Sequence, residues 1–117
     1  MRMPDINFQE GLVIVDYGDI LITEEAAAYT TKKRRELTMG KKTKVVIIGQ
    51  AAVGLKSSLK NIANSKTVAD ITEAMALVPT THSGRIIAQT FLSIVNTPYP
   101  MKAFKDVEEA KSWLKSL

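Results

Sequence analysis

The segment Lys44–Ile48 (Lys-Val-Val-Ile-Ile) ends in four consecutive β-branched apolar residues. A strand that is apolar at every position, rather than at alternate positions, is typical of a sheet covered on both faces. A second run of this kind, Ala74–Val78 (Ala-Met-Ala-Leu-Val), is followed by Pro79. These two runs predict central strands of an α/β protein.

Further strand patterns lie on either side of the central pair. Asn7–Glu10 and Leu12–Tyr17 read as two short strands around Gly11, and Met101–Phe104 reads as a last strand. Helical patterns separate the later strands, which implies parallel pairing through crossover helices. We therefore expect one domain over residues 1–117, with a mixed sheet of about five strands packed against about four helices in the order β-β-α-β-α-β-α-β-α.

The first long helix has clear start and stop signals. Thr23 is the predicted N-cap, and the acids Glu24 and Glu25 follow where the helix dipole favours negative charge. The helix should run to about Met39 and stop at Gly40. Its apolar periodicity predicts an inward stripe of Ala26, Tyr29, Lys33 and Leu37, with Lys33 burying only its stem.

The later helices are also marked by caps. Asn64 or Ser65 can cap a helical turn through Asp70, and Ser83 is the predicted cap of a longer helix that Asn96 ends. Asp106 opens a terminal helix with a capping-box spacing. The predicted inward stripe of that helix is Val107, Ala110, Leu114 and Leu117, with Trp113 beside it.

Composition excludes several classes of site. The 117 residues include no cysteine and one histidine, His82. Disulfides, thiolate metal centres, a cysteine nucleophile and any pair of imidazole ligands are therefore ruled out. We expect no metal and no cofactor. No apolar run approaches the 18 or so residues of a membrane span, and no signal-peptide pattern opens the chain, so a cytoplasmic location is expected.

Positive charge is concentrated in one part of the chain. The net charge is +4, but residues 31–60 hold nine Lys or Arg and one acid, which makes that segment +8 and the remainder −4. The predicted basic patch consists of Lys32, Lys33, Arg34, Arg35, Lys41, Lys42 and Lys44. Such a patch can attract an anionic partner, or it can be a solvated face. Tyr29 is the only aromatic residue near it, so sequence-specific nucleic-acid binding is not expected.

The loop after the central strand, Gly49–Ser57, stands where a phosphate-binding loop belongs. Leu55 separates its second glycine from Lys56, so the backbone amides and the ammonium cannot wrap one phosphate, and nucleotide hydrolysis is not expected. Ser57 or Ser58 begins a short helix predicted to run through Ala63. These serines are candidates for phosphorylation or for anion binding at a helix N-terminus, and a simple N-cap role is the alternative.

No catalytic constellation is found. His82 and Ser83 are adjacent in one loop, where their side chains rarely face each other, and no nucleophile elbow is present. The acid pairs Glu24–Glu25 and Glu108–Glu109 lie in first helical turns, where they serve the dipole. We therefore expect a protein without enzymatic activity.

The order of elements, together with the C-terminal half, resembles a known family. The strand Glu73–Val78 and the helix Gly84–Leu92 are followed by Asn96–Phe104 (Asn-Thr-Pro-Tyr-Pro-Met-Lys-Ala-Phe) and Asp106–Leu114 (Asp-Val-Glu-Glu-Ala-Lys-Ser-Trp-Leu). This arrangement is similar to the STAS domain, the fold of bacterial anti-sigma-factor antagonists, and in particular to its short stand-alone bacterial members. The motif-level match covers residues 73–114.

The resemblance implies a non-enzymatic regulatory or binding module that binds a protein partner or a small ligand. In the antagonists a serine at the start of the helix after the central strand is phosphorylated, and Ser57 or Ser58 occupies that region. Their Asp-Ser-Ser/Thr-Gly signature is absent here, so only the location carries over. The alternative is a carrier or sensor of a small anionic or apolar ligand, as in lipid-transfer domains of distantly similar layout. The apolar strand and helix surfaces are also compatible with a homodimer.

Overall fold

A computed structural model describes residues 3–20, 22–49 and 65–117 of the chain. These ranges contain five strands and four helices, and they confirm the predicted α/β class. In chain order the elements are β1 (Asp5–Gln9), β2 (Leu12–Asp16), α1 (Glu24–Thr38), β3 (Thr43–Gly49), α2 (Lys66–Ala69), β4 (Thr72–Pro79), α3 (His82–Ile94), β5 (Met101–Ala103) and α4 (Val107–Lys115).

The strands form one sheet in the order β1-β2-β3-β4-β5. The first pair is an antiparallel hairpin in which Gln9 lies opposite Leu12. Its two loop residues, Glu10 and Gly11, have φ angles of 54° and 76°, the combination that a tight turn with the twist of a hairpin requires. β2, β3, β4 and β5 pair in parallel. The parallel central strands predicted from sequence are therefore confirmed.

Both faces of the sheet are covered, which explains the unbroken apolar runs. Alternate residues of a strand point to opposite faces, so Val45 joins one cluster and Val46 the other. We call these the α1 face and the α4 face. Buried residues of the α1 face are Val13, Val15, Tyr17, Ala26, Val45, Val68, Met75 and Tyr99. Those of the α4 face are Leu12, Ile14, Val46, Ala74, Ala76, Val78, Ala110 and Leu114.

Three of the predicted helix caps are confirmed. The Thr23 hydroxyl accepts from the Ala26 amide at 3.1 Å, and the Ser65 hydroxyl accepts from the Val68 amide at 3.3 Å. The Asp106 carboxylate accepts from a first-turn amide at 2.8 Å. Asn64, the alternative to Ser65, lies outside the described residues.

The predicted cap of α3 is wrong. Thr81, rather than Ser83, has extended backbone angles and accepts from the Gly84 amide at 2.9 Å. Ser83 already lies in the first turn, where its hydroxyl is 3.5 Å from that of Thr81. Both residue types favour caps, so residue type alone could not separate the two positions.

The inward face of α1 also differs from the prediction. Ala26 is buried as expected, but Lys33 and Leu37 are exposed, and Leu37 keeps 44% of its surface accessible. The buried residues of this helix are Ala26, Thr30, Thr31, Arg34 and Thr38. The three threonine hydroxyls donate to carbonyls of their own helix at 2.8–2.9 Å. Their polar groups are satisfied locally, so their methyl groups can pack like apolar side chains.

The terminal helix α4 docks largely as predicted. Leu114 and Ala110 are fully buried against the sheet, and the Trp113 ring lies 5.4 Å from that of Phe104. The predicted role of Leu117 is wrong, because this residue is 55% exposed. The helix ends at Lys115, so Leu117 no longer follows the helical stripe.

Candidate functional site

The basic residues of α1 point in different directions. Arg34 is only 2% exposed and belongs to the sheet-facing side, whereas Lys32, Lys33 and Arg35 are exposed. The prediction that Arg34 contributes to a surface patch is therefore wrong. Successive helical residues are rotated by about 100°, so four adjacent cations cannot share one face.

Arg34 is held by hydrogen bonds to the start of β4. Its Nη2 atom donates to the Thr72 hydroxyl at 2.7 Å and to the Ile71 carbonyl at 3.3 Å. The Thr72 hydroxyl donates in turn to the carbonyl of Val68 in α2 at 2.6 Å. Among the described residues, the buried Nε atom of Arg34 has no partner. This network joins α1, α2 and β4.

Two tyrosines complete the buried polar cluster. Burial lowers the pKa of Arg34 to about 10, and the phenols of Tyr99 and Tyr17 oppose this shift. Burial raises the pKa of Tyr99 to about 12 against the effect of the Arg34 charge. Burial also raises the pKa of Tyr17, although a hydrogen bond with Thr30 and the Arg34 charge act in the other direction. The cluster thus contains a buried cation beside neutral phenols. The hydrogen bonds of Arg34 and Thr72 hold α1 and α2 in place against β4.

A groove lies between α1 and α2 beside this cluster. It has a volume of about 400 Å³. The described residues that line it are Ala28, Thr31, Lys32 and Arg35 from α1, and Ser65, Thr67 and Val68 at α2. The Arg35 guanidinium spans the two helices, because its Nη2 atom donates to the Thr67 carbonyl at 3.0 Å. We call this feature the α1–α2 groove.

The cations beside the groove are Lys32 and Arg35. Lys32 is exposed and forms no ion pair within the described ranges. Lys33 points away, since its Nζ atom lies 3.8 Å from the Glu36 carboxylate and 5.9 Å from the centre of the Tyr29 ring. Lys32 and Arg35 therefore line the groove with the carbon chains of their side chains, while Lys33 lies beside Glu36.

The remaining residues of the predicted patch lie elsewhere. Lys41 and Lys42 are exposed in the turn after α1. Lys44 is paired in the sheet with Leu12, a residue of the α4 face, and its Nζ atom donates to the Leu117 carbonyl at 3.3 Å. Alternation along β3 thus places Lys44 on the opposite face of the sheet from α1. The predicted residues do not form one continuous patch.

The serines predicted as a phosphorylation or anion site, Ser57 and Ser58, lie outside the described residues, as does most of the Gly49–Ser57 loop. Gly49 itself is described, and it has a packing role. A Cβ atom added there would stand 2.8 Å from the Cβ atom of Tyr17. The close approach of Tyr17 accounts for glycine at this position without reference to a phosphate.

Sequence reasoning missed the apolar members of the groove. Ala28, Thr31 and Arg35 repeat at the spacing of one side of a helix. This spacing is the sequence signal that could have predicted which residues of α1 line the groove. Thr67 and Val68 belong to a four-residue helix, which is too short for its periodicity to predict a buried face.

Across residues 3–20, 22–49 and 65–117, no three acidic or histidine side chains gather in a metal-binding arrangement. None of the helices in these ranges is long and apolar enough to cross a membrane.

The geometry defines a class of protein: an α/β domain whose mixed sheet opens with a hairpin and continues through parallel strands, with a groove between two helices of one face. The chain belongs to the family described as a domain of unknown function, DUF7793, whose model matches residues 6–117. Comparisons with curated proteins and with solved structures found no match.

Proposed function

We propose that this protein is a small, cytoplasmic, non-enzymatic regulatory module of the STAS-like type that works by binding a protein partner. The observation that carries the proposal is the α1–α2 groove, which has an apolar lining and a volume of about 400 Å³. Binding pockets commonly combine an apolar lining with a few placed polar groups. Here Lys32 and Arg35 line the groove with their carbon chains, and both side chains are exposed to solvent.

The C-terminal half supports the STAS-like part of the proposal. The residues that carry the resemblance have definite roles in the fold: Asp106 caps α4, while Ala110 and Leu114 are fully buried. Trp113 packs on Phe104 at the end of β5. Residues 106–114 therefore pack the last helix against the sheet. Their role is to complete the fold, and we place the binding site on another surface.

A second candidate is favoured by the size and lining of the same groove. Its volume falls within the range of about 300–1,000 Å³ that is usual for small-molecule pockets. Val68 and Ala28 offer apolar contacts, and the two cations lie beside them. A carrier or sensor of a small anionic or apolar molecule would use these features in the same way.

Native mass spectrometry of the protein purified at low salt from its own host separates these proposals. We expect a stoichiometric complex with a second protein. A small-molecule adduct in its place would favour the carrier, and a pure homodimer would point to self-association. The same measurement is repeated after crosslinking in intact cells. A monomer without an adduct in both experiments would contradict the proposed function.

The matched variant for this experiment is Lys32→Gln with Arg35→Gln. Arg34 is left unchanged, because its buried hydrogen bonds support the fold and its removal would confuse loss of binding with unfolding. The control variant carries Lys105→Gln and Lys111→Gln. Lys105 precedes α4 and Lys111 lies within it, so this variant loses the same number of positive charges on the other face of the sheet. Loss of the complex in the first variant alone would assign it to the groove.

A further inference from the structure

We infer that this protein forms a two-fold symmetric homodimer in which the β1 strands of two copies pair in antiparallel orientation and join the two sheets into one. The partner on this surface is therefore a second copy of the chain. The inference does not rest on the proposed function, because the β1 edge and the α1–α2 groove are different surfaces.

The two outer strands of the described sheet, β1 and β5, differ in how they are protected. β5 is three residues long, follows Pro100 directly and carries Lys102. Short length, proline and lysine are common means by which an edge strand avoids pairing with another chain. β1 has five residues, contains no proline or lysine, and pairs with β2 in an unbroken register. It therefore has none of these protections.

Two residues of β1 present their backbone hydrogen-bonding groups to the outer edge. The two-residue turn makes Gln9 and Leu12 a hydrogen-bonded pair, and such pairs alternate along an antiparallel ladder. Asn7 therefore bonds to β2, whereas the amides and carbonyls of Ile6 and Phe8 point away from it. Within the described part of the chain, no turn, loop or cap bonds to these four groups.

A two-fold axis at Asn7 satisfies all four groups in both copies. With this register, Ile6 of each copy lies opposite Phe8 of the other copy, and the two residues exchange a pair of hydrogen bonds. Asn7 faces its own counterpart, and Asp5 lies opposite Gln9, so no like charges face each other along the strands. The edge is therefore complementary to itself, as a two-fold interface requires.

Other two-fold registers leave hydrogen-bonding groups unpaired. With the axis at Ile6, Phe8 lies opposite Pro4, which has no N–H to donate. With the axis at Phe8, Ile6 lies opposite Glu10, which belongs to the turn and has a φ angle of 54°. The register centred on Asn7 is therefore the one that the strand favours.

Apolar side chains lie along the same edge. The side chains of Ile6 and Phe8 lie on the α1 face, because these residues pair with Val15 and Val13 of that face. Phe8 is nevertheless 45% exposed, and Leu37 of α1 is 44% exposed. Covering such side chains with a second copy removes apolar surface from water, which stabilises the pairing.

Leu37 lies on the side of α1 that is nearer to β1. Two residues along a helix correspond to a rotation of about 200°, so Leu37 is almost opposite Arg35, which lines the groove toward α2 and β4. α1 also contacts β1. The helix ends where the chain turns into β3, whose start pairs with Leu12, next to the β2 partner of Phe8. Leu37 and Phe8 therefore lie at the same end of the same edge.

The symmetry also brings the two α1 helices to the same face of the joined sheet, where they run antiparallel. Lys33, one turn before Leu37, then lies near its own counterpart. Its Nζ atom is 3.8 Å from the Glu36 carboxylate, so its charge is balanced within its own helix. The interface is therefore compatible with the charges on α1.

Sedimentation velocity of the full chain over a concentration series tests the homodimer. We expect a reversible monomer–dimer equilibrium with a dissociation constant on the order of 1–100 μM. Phe8→Lys and Leu37→Lys should each weaken it about tenfold or more, because both place a charge in the interface. A monomer at all concentrations would overturn the inference.

The matched control is Ile86→Lys, which makes the same type of exchange at a 57% exposed position of α3. It should change the dissociation constant by no more than about twofold. Thermal unfolding shows which variants are folded, and Leu37→Lys keeps the test decisive if Phe8→Lys disturbs the hairpin. Equal dimerisation by all three variants would also overturn the inference.

Cysteine crosslinking tests the register, since the chain has no cysteine. Asn7→Cys places two thiols at a non-hydrogen-bonded pair, where Cα atoms are about 4.5 Å apart and a disulfide fits. Gln9→Cys places its two thiols more than about 13 Å apart, because each lies opposite Asp5, four residues away along the strand. Under mild oxidation we expect a covalent dimer from Asn7→Cys alone. No crosslink at Asn7→Cys, or equal crosslinking of both variants, would contradict this register.

The outcomes also separate this inference from the proposed function. A homodimer that loses stability in Leu37→Lys while a second protein stays bound supports both. A homodimer with no other partner supports the inference and contradicts the proposed function. A monomer whose β1 edge pairs with a strand of a different protein overturns the homodimer and leaves the proposed function standing at another site.

Discussion

The Nη2 atom of Arg34 donates a 2.7 Å hydrogen bond to the hydroxyl of Thr72, which joins the buried side of α1 to the first residue of β4. Thr72 donates onward to the Val68 carbonyl at 2.6 Å, and Val68 lines the α1–α2 groove. A buried cation thus fixes both walls of the groove relative to the sheet. Of the exposed cations, Arg35 adds a second link between the walls through the Thr67 carbonyl.

Replacing Arg34 should reveal how much its volume matters relative to its charge. Arg34→Ala leaves a cavity and removes a hydrogen bond from Thr72, and we expect it to destabilise the protein by about 2–4 kcal/mol. Arg34→Met fills most of the space and removes a desolvated charge, so its cost should be within about 1 kcal/mol. Urea unfolding of both variants measures the difference. Equal losses would show that the hydrogen bonds outweigh the cost of burying the charge.

Stability at high pH should depend on Tyr99. Burial raises the folded-state pKa of Tyr99 from its ordinary value of 10.0 to about 12. Between these values the unfolded chain has lost the phenolic proton while the folded protein keeps it, so the contribution of Tyr99 to stability falls as pH rises. The lowered pKa of Arg34 acts in the opposite direction over this range. The contribution of Tyr99 is complete below about pH 10, and its loss approaches about 2–3 kcal/mol above pH 12.

The matched variant is Tyr99→Phe, which removes the ionisable group and keeps the ring. Urea unfolding of both proteins from pH 9 to about 12 should show that the stability of the original chain falls relative to that of Tyr99→Phe. Parallel curves would mean that Tyr99 titrates alike in the folded and unfolded states.

Much of the fold could be predicted because it depends on local signals. The apolar runs of β3 and β4 require cover on both faces, and the caps Thr23, Ser65 and Asp106 follow from side chains that accept nearby amide hydrogens. The exposure of Leu117 could not be predicted, because it depends on where α4 ends. The sequence near Lys115 has no glycine or proline that would mark the end of a helix.

The candidate site was less accessible to sequence reasoning, since it depends on contacts between distant segments. Hydropathy assigned Leu37 to the core and Arg34 to the surface, whereas the structure has them the other way round. Arg34 is buried because Thr72 and the Ile71 carbonyl, almost forty residues away, supply its hydrogen bonds. Periodicity within α1 could not include those partners.

The docking of α4 gives a direct stability test with an internal control. Leu114 is fully buried and Leu117 is 55% exposed. We expect Leu114→Ala to cost about 2–5 kcal/mol, as large-to-small core substitutions do. Leu117→Ala should change stability by no more than about 0.5 kcal/mol. Thermal unfolding distinguishes them, and an unchanged melting temperature for Leu114→Ala would contradict the packing of α4.

Site-specific thiol protection tests whether a protein partner covers the α1–α2 groove. The chain has no cysteine, so Ala28→Cys and the control Ser112→Cys on α4 each introduce a unique thiol. Alkylation rates are compared with and without the macromolecular fraction of a host-cell extract. We expect several-fold slower alkylation for Ala28→Cys alone. Unchanged rates at both positions, or protection of Ser112→Cys alone, would contradict it.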